Sequence, residues 1–210
     1  MHCVQACLQM LLYAFNKPVL SLERLDVITH HSPDMMTWMS EALIWLIDEG
    51  FAVENYENLD YVTFASLGVE YLKQIWDRET FVLQKKYSDL VREQIMAEKL
   101  IESGVRTVNS RLSLEEIKEK ISEGFFTMLS VNPHALKGRE GYGSHLVVVK
   151  SIGPRETMLF DPDMDHPYIV SNGILSRAIS EERKQDFNAI FVKRASSNRH
   201  TSIPIQPSSF

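Results

Sequence analysis

The chain has little cysteine and no long apolar run. It carries only two cysteines, Cys3 and Cys7, in 210 residues. So few cysteines exclude a disulfide framework and favour a reducing compartment, so we expect a cytoplasmic protein. No apolar stretch approaches the roughly 20 residues that cross a bilayer. The first residues also lack the basic segment of a signal peptide, so we expect neither a membrane span nor a secretory signal.

Clustered basic residues are missing as well. The chain has 22 Lys and Arg against 28 Asp and Glu, which gives a formal net charge of -6. The one basic doublet, Lys85-Lys86, lies in a mixed-charge helical region. A nucleic-acid-binding face needs concentrated positive charge, so we expect no nucleic-acid partner. No Gly-x-x-x-x-Gly-Lys segment is present either, which excludes a P-loop nucleotide site.

What remains is the composition of an ordinary globular domain. Hydrophobic residues make up 44% and charged residues 24% of the chain, which is typical of globular proteins. Helical patterns come first and strand patterns later, an order that predicts an α+β fold. We expect one domain over 1–194, with a helical insertion over 63–103. The Ser/Pro/Asn-rich tail over 195–210 is expected to be disordered.

The first half of the sequence is predicted to be helical. Apolar residues recur at helical spacing over 3–16 and 37–49, and a long helix pair is expected over 63–103. Two more helices are expected to begin at Ser21 and Ser113, because each serine suits the N-cap position. The helix over 3–16 carries the first of the chemically interesting side chains.

The second half is rich in strands and predicts an antiparallel sheet. Its segments are apolar, and glycine, proline and aspartate separate them. The helical half is expected to pack on this sheet. The expected strands, including two short ones in the first half, are 51–53, 105–108, 125–131, 145–152, 157–160 and 186–193.

Cys3 stands at the start of the first helix. A thiol reacts as its thiolate, and both a helix N-terminus and a nearby imidazolium lower its pKa. Cys3 is therefore the candidate nucleophile. The alternative is a small buried core residue, a common role for a free cysteine, and Cys7 suits that role better. Gln5, Gln9 and Tyr13 are expected on the opposite side of this helix.

A histidine and an aspartate at strand ends complete the candidate set. His145 follows a glycine-containing loop and opens an apolar strand, a position at the rim of a cleft that suits a general base. Asp161 ends the next strand, and a hairpin turning at Gly153-Pro154 would bring the two to one sheet edge. There the carboxylate is expected to accept the Nδ1–H of His145 and orient the ring. The alternatives are a structural histidine and an Asp-Pro turn.

Metal binding is a further alternative for this segment. Asp161, Asp163 and Asp165 alternate as in part of a calcium-binding loop. The glycine and the closing glutamate of such a loop are missing at the required spacing. We therefore expect no metal and no other cofactor.

The helix beginning at Cys3 resembles a motif of the papain-like bacteriocin-processing peptidases, which act on double-glycine leaders, and especially of their standalone relatives. The family helix typically reads Cys-Gly-x-x-x-Leu-x-Met. Cys3, Leu8 and Met10 hold the matching places, and Val4 stands where the family usually has glycine.

Two later segments carry the rest of the resemblance, which covers the first helix and roughly residues 125–165. Gly143-Ser144-His145 leads into an apolar run, and Phe160-Asp161-Pro162 ends the next strand; both features are typical of this family. The resemblance implies a papain-like cysteine peptidase fold and a peptide or amide substrate. It also implies Cys3 as nucleophile, His145 as base and Asp161 as the residue that orients the base.

The family also carries a glutamine several residues before the cysteine, and its side chain helps to stabilise the oxyanion. The sequence gives two residues before Cys3, and neither is glutamine. Gln5, inside the helix, is a poor replacement. Loss of one oxyanion donor typically costs about 10²–10³ in turnover.

Three functions therefore stand open at this point. The leading one is a cysteine peptidase that cleaves a peptide or amide bond. The second is an acyl or aminoacyl transferase that uses the same thiol. The third is a non-catalytic binding module with the same fold, which the missing glutamine and Val4 favour. A thiol pKa near the ordinary value of about 8.5 would support the module, and a clearly lower one would support an enzyme.

Overall fold

The computed structural model of the chain describes residues 2–141, 143–180 and 187–195. Ten helices and seven strands are found in these ranges. The helices are α1 (Cys3–Ala14), α2 (Leu22–Ile28), α3 (Ser40–Asp48), α4 (Tyr61–Leu67), α5 (Val69–Ile75), α6 (Arg78–Tyr87), α7 (Leu90–Glu102), α8 (Leu114–Ser122), α9 (Pro133–Leu136) and α10 (Asn172–Ala178). The strands are β1 (Phe51–Glu57), β2 (Arg106–Asn109), β3 (Phe126–Val131), β4 (His145–Ile152), β5 (Glu156–Phe160), β6 (Tyr168–Ser171) and β7 (Asn188–Arg194).

All seven strands join one sheet in the order β2-β1-β7-β3-β4-β5-β6. Every neighbouring pair is antiparallel except β1 and β2, which are parallel. The α+β prediction is therefore confirmed. The predicted C-terminal antiparallel sheet is confirmed in part: the sheet is mostly antiparallel, but β1 and β2 come from the first half of the chain and pair in parallel.

The strand β1 is longer than the expected 51–53 and pairs with β7 along its whole length. The sequence misses this extension because Glu54, Asn55 and Glu57 look like loop residues. In the fold, the side chain of Asn55 accepts a hydrogen bond from Asn188 of β7. Asn55 and Asn188 thus bind each other across the two strands, and Glu57 stands opposite Asn188 in the register.

The sheet separates two hydrophobic layers. Because side chains alternate along a strand, Met128, Val148 and Ile190 face one layer, which contains α1, α3, α4 and α7. Leu129 and Val147 face the other, which contains α8 and α10. All five side chains are buried, and each fully buried aliphatic chain of this size stabilises the fold by about 1.5–3 kcal/mol.

The helix α1 packs against β4 and fixes the position of its own first residue. Leu8 and Leu11 are fully buried on its inner face, as is Cys7. The Cys7 thiol donates a hydrogen bond to the Leu146 carbonyl over 3.4 Å. The expectation that Gln5 lies on the side of α1 opposite the core is wrong. Gln5 is fully buried, and its Nε2 donates a hydrogen bond to Thr29 Oγ1 over 2.8 Å.

The expected long helix pair over 63–103 is in fact four shorter helices, α4 to α7. Gly68 separates the first two with a positive φ of 54°. Asp77 and Asp89 begin the last two, because each side chain accepts a backbone N–H from the first turn, as N-cap residues do. The Ser21 and Ser113 caps are confirmed, the latter with its capping box.

Some elements of the structure were not predicted, and two predictions concern residues outside the described ranges. The segments β6 and α10 were not expected, because the loop after Asp161 carries no clear period. The start of the last expected strand, at residue 186, and residues 196–210 of the expected tail lie outside the described residues. None of the helices in the described ranges has both the length and the apolar character needed to cross a membrane.

Candidate active site

His145 and Asp161 meet at one edge of the sheet. The strands β4 and β5 form an antiparallel hairpin in which Val148 pairs with Phe160, so His145 and the residue after β5 fall at the same end. His145 Nε2 lies 2.6 Å from Asp161 Oδ1. The ring is almost fully buried, with 3% exposure. The expected Nδ1 contact is wrong: the carboxylate binds Nε2, which leaves Nδ1 as the ring nitrogen not bound to Asp161.

Cys3 completes the set from the start of α1. The His145 side chain and the backbone N–H groups of Leu146 and Val4 lie within hydrogen-bonding reach of its thiol. Burial raises the pKa of the Cys3 thiol, but these hydrogen bonds and the charge of His145 outweigh burial, so the pKa lies below its ordinary value. The two cysteines also hold Leu146 from both sides, because Cys3 lies against its N–H and the Cys7 thiol binds its carbonyl.

The pKa of His145 is shifted in the opposite direction to that of Cys3. Burial lowers its pKa, but the hydrogen bonds with Cys3 and Asp161 and the charges of both raise the pKa to about 9. The lowered thiol pKa and the raised imidazole pKa both favour transfer of the thiol proton to the ring. A thiolate beside an imidazolium is the reactive form of a cysteine nucleophile.

Asp161 is itself held in place by the turn that it begins. The backbone N–H of Asp163 donates to Asp161 Oδ1 over 2.9 Å, and the N–H of Met164 donates to the Asp161 carbonyl over 2.9 Å. The Asp-Pro turn and the histidine contact are therefore two roles of one residue rather than alternatives. Tyr168, which is half-buried, lies nearby, and burial together with the Asp161 charge raises its pKa to about 12.

The N-terminus of α1 offers hydrogen-bond donors beside the thiol. The first backbone bond of the helix runs from the Ala6 N–H to the His2 carbonyl over 2.9 Å. The N–H groups of Cys3, Val4 and Gln5 therefore have no acceptor within the helix. The His2 side chain does not cap them. The Gln5 side chain is bound to Thr29 in the core, away from this position.

Cys3 lines a cavity of about 590 Å³. This volume suits a small ligand or a few residues of a peptide. The walls come from the segment 34–39, from the α5 and α6 region, and from Gly143-Ser144 before β4. Their side chains are mostly apolar or aromatic: Met35, Met36, Trp38, Met39, Trp76, Leu83 and Tyr87.

Polar groups also line this cavity, on and beside the sheet. Ser130 on β3 lies 3.1 Å from Ser144, oxygen to oxygen. Further along the sheet Glu57 accepts hydrogen bonds from the Tyr61 hydroxyl at 2.5 Å and from Asn55 Nδ2 at 3.1 Å. Burial raises the pKa of Glu57, and its three donor partners oppose that rise. Sequence patterns do not indicate that Glu57 and Ser130 belong to the site, since neither residue stands in a motif.

Two groups of described residues could hold a metal ion. One is His145, Asp161 and Asp163; the other is His2, Asp26 and His31, and in each the possible ligand atoms lie within 4.8 Å of one another. In the first group His145 and Asp161 already bind each other. Asp165 of the acidic loop belongs to neither, and the absence of a metal or cofactor stays a prediction.

No protein-family model matches the sequence, and no curated protein matches it. The family resemblance of the first helix and of residues 125–165 therefore stays a prediction.

Proposed function

We propose that the protein is a papain-like thiol hydrolase, similar to the bacteriocin-processing peptidases, that cleaves a peptide or amide bond. The observation that carries this proposal is the contact chain from Cys3 through His145 to Asp161. In it the thiol pKa is lowered and the imidazole pKa is raised to about 9. A binding module has no need of a lowered thiol pKa, whereas a cysteine nucleophile reacts as its thiolate.

The proposed reaction begins with attack of the Cys3 thiolate on the substrate carbonyl, forming a carbon–sulfur bond. The resulting oxyanion is stabilised by N–H groups at the start of α1, including that of Cys3, and by the positive end of the helix. His145 Nδ1–H protonates the leaving amine as the carbon–nitrogen bond breaks. Asp161 holds the ring and stabilises its charge throughout.

The second half of the reaction removes the acyl group. His145, now neutral, takes a proton from water, and the hydroxyl attacks the thioester. The carbon–sulfur bond breaks, the acid leaves, and the thiolate–imidazolium pair is restored. An amine in place of water would make the same site an acyl transferase, so the ratio of acid to amide product separates the two.

Both cysteines are free thiols, which suits the reducing cytoplasm proposed as the location of the protein. The proposed substrate is a peptide or amide that reaches the thiol through the cavity.

The test is the pH dependence of iodoacetamide alkylation, read residue by residue with mass spectrometry. We expect Cys3 to react well below pH 8, since its pKa is lowered, and His145→Ala to shift this reaction to higher pH. Asp161→Ala should shift it less. Cys3→Ala should abolish labelling near neutral pH.

Cys7 is the internal control in each of these samples. It is fully buried, and burial together with the charges of Cys3 and Asp161 raises its pKa well above the ordinary value. It should stay unlabelled. If Cys3 titrates as an ordinary thiol in the wild type and both variants, the enzyme proposal is wrong and the binding module replaces it.

A further inference from the structure

We propose that the cavity beside Cys3 selects substrates that carry a positive charge, and that Glu57 is the residue that pairs with it. This inference rests on the proposed function, because the charge belongs to the peptide or amide that Cys3 attacks. It adds the chemical class of the substrate.

The charges of the cavity lining are of one sign. Asp34 and Glu57 contribute carboxylates, and among the described residues no lysine or arginine lines the cavity. Trp38, Trp76 and Tyr87 add aromatic rings, and such rings attract a cation that lies over their faces. Away from the start of α1, an anionic substrate group would be repelled by these carboxylates, whereas a cationic one meets attraction from both kinds of side chain.

Glu57 is partly buried without a positive partner. It forms no ion pair with any described residue, and its recorded partners Tyr61, Asn55 and Asn188 are all neutral. Glu54, on the same strand, pairs with Lys120 and Arg106 instead. A desolvated carboxylate is costly unless a cation pairs with it. A substrate ammonium or guanidinium would supply the missing charge at Glu57.

Asn188 provides an independent second observation. It lies opposite Glu57 in the β1–β7 pairing and lines the same cavity. Its exposure is 8%, and its Oδ1 has no hydrogen-bond partner in the described part of the chain. A buried amide oxygen without a donor is unusual in a folded protein. Together with the carboxylate it forms an acceptor pair for the several N–H groups of a cation.

The sheet sets the distance between this acceptor pair and the thiol. Cys3 contacts the Leu146 N–H on β4, and Glu57 lies on β1, three strand spacings away. Three spacings of about 4.8 Å are roughly 14 Å. An extended peptide advances about 3.3 Å per residue. A lysine or arginine about two to four residues from the scissile bond therefore reaches Glu57, because its long side chain covers part of the distance.

The test uses peptidyl chloromethyl ketones, which alkylate an active thiolate with loss of chloride and need no turnover. The peptides differ at one position, the first to fourth residue from the reactive group, where lysine, norleucine or glutamate is placed. We expect lysine to accelerate Cys3 alkylation at least about tenfold over norleucine at one of these positions, as a hydrogen-bonded charge pair does. Glutamate should slow it.

Glu57→Gln should bring the lysine-to-norleucine rate ratio close to one. Glu54→Gln is the matched control, since it neutralises a carboxylate on the same strand that does not line the cavity; it should keep the lysine advantage. The wild-type comparison of the three probes stands even if Glu57→Gln fails to fold.

Equal rates for the three probes at every position would overturn the inference. If iodoacetamide still labels Cys3 well below pH 8 in that case, the proposed function survives without the charge selectivity. An ordinary Cys3 thiol would overturn both.

Discussion

Replacement of Asp161 by asparagine isolates the role of the carboxylate. Asp161→Asn keeps the shape of the side chain and an oxygen near His145 Nε2, now 2.6 Å from the carboxylate, but it removes the negative charge. The pKa of His145 is raised from 6.5 to about 9 against the effect of burial, and Cys3 and Asp161 share the cause. With one of two anionic partners gone, we expect the pKa to fall by about one pH unit, or about 1.4 kcal/mol.

The assay is titration of the His145 ring protons by NMR, in the wild type and in Asp161→Asn. A histidine with a raised pKa stabilises the fold fully below the unfolded value of about 6.5, and this stabilisation is lost as pH rises through about 9. The variant should therefore lose stability mainly below pH 8, while the two proteins converge at higher pH. Urea unfolding at several pH values measures this difference.

Turnover of any substrate should also fall, by about 10²–10⁴, because a badly oriented imidazolium is a poor proton donor. Asp165→Asn serves as a control in the same loop, since its carboxylate belongs to neither cluster of possible metal ligands. An unchanged His145 pKa in Asp161→Asn would refute the coupling of carboxylate and ring, whatever the effect on activity.

Two further predictions concern the helices next to the cavity. An added Cβ at Gly68 would lie 2.2 Å from Gln94 Oε1 at a φ of 54°, so Gly68→Ala should destabilise the fold by more than about 1 kcal/mol. Gly104→Ala, also at positive φ but with nothing within 4 Å of its Cβ, should cost less; equal costs in thermal unfolding would contradict the clash. Burial, with the charge of Glu41, raises the pKa of Glu93 to about 7, so wild-type stability should fall as pH rises from about 4.5 to 7. Glu93→Gln should reduce this loss of stability by up to about 3 kcal/mol, measured by urea unfolding. If the stability of the variant falls with pH as much as that of the wild type, Glu93 does not cause the pH dependence.

The candidate site could be predicted because its parts lie at the ends of elements with strong local signals. The apolar run after His145 and the Gly153-Pro154 turn define a hairpin, and a hairpin brings its two ends together without reference to the rest of the fold. The helix beginning at Cys3 carries a clear apolar pattern. The helix packs on β4 because its apolar side chains are buried there.

The remaining features depend on contacts between distant parts of the chain. The choice of Nε2 over Nδ1 in His145 depends on how the ring is turned in the folded chain. The pairing of Glu57 with Asn188 joins strands that are 131 residues apart in sequence. Neither has a periodic signal, because a polar residue in a strand resembles a loop residue until its partner is known. Asp77 is a suitable N-cap residue, but the helical period continues without interruption around it and therefore predicts one continuous helix.

The strand β7 is the last of the seven described strands to be synthesised, yet it lies between β1 and β3 in the sheet. A nascent chain that has not yet released β7 therefore holds two separate half-sheets, one with β1 and β2 and one with β3 to β6. The cavity beside Cys3 draws Glu57 from one half and Ser130 from the other. Long-range pairing of this kind is slow to form. The order of synthesis thus delays assembly of the cleft until β7 has left the ribosome, and Cys3 meets the proposed binding surface only after that strand has joined the sheet.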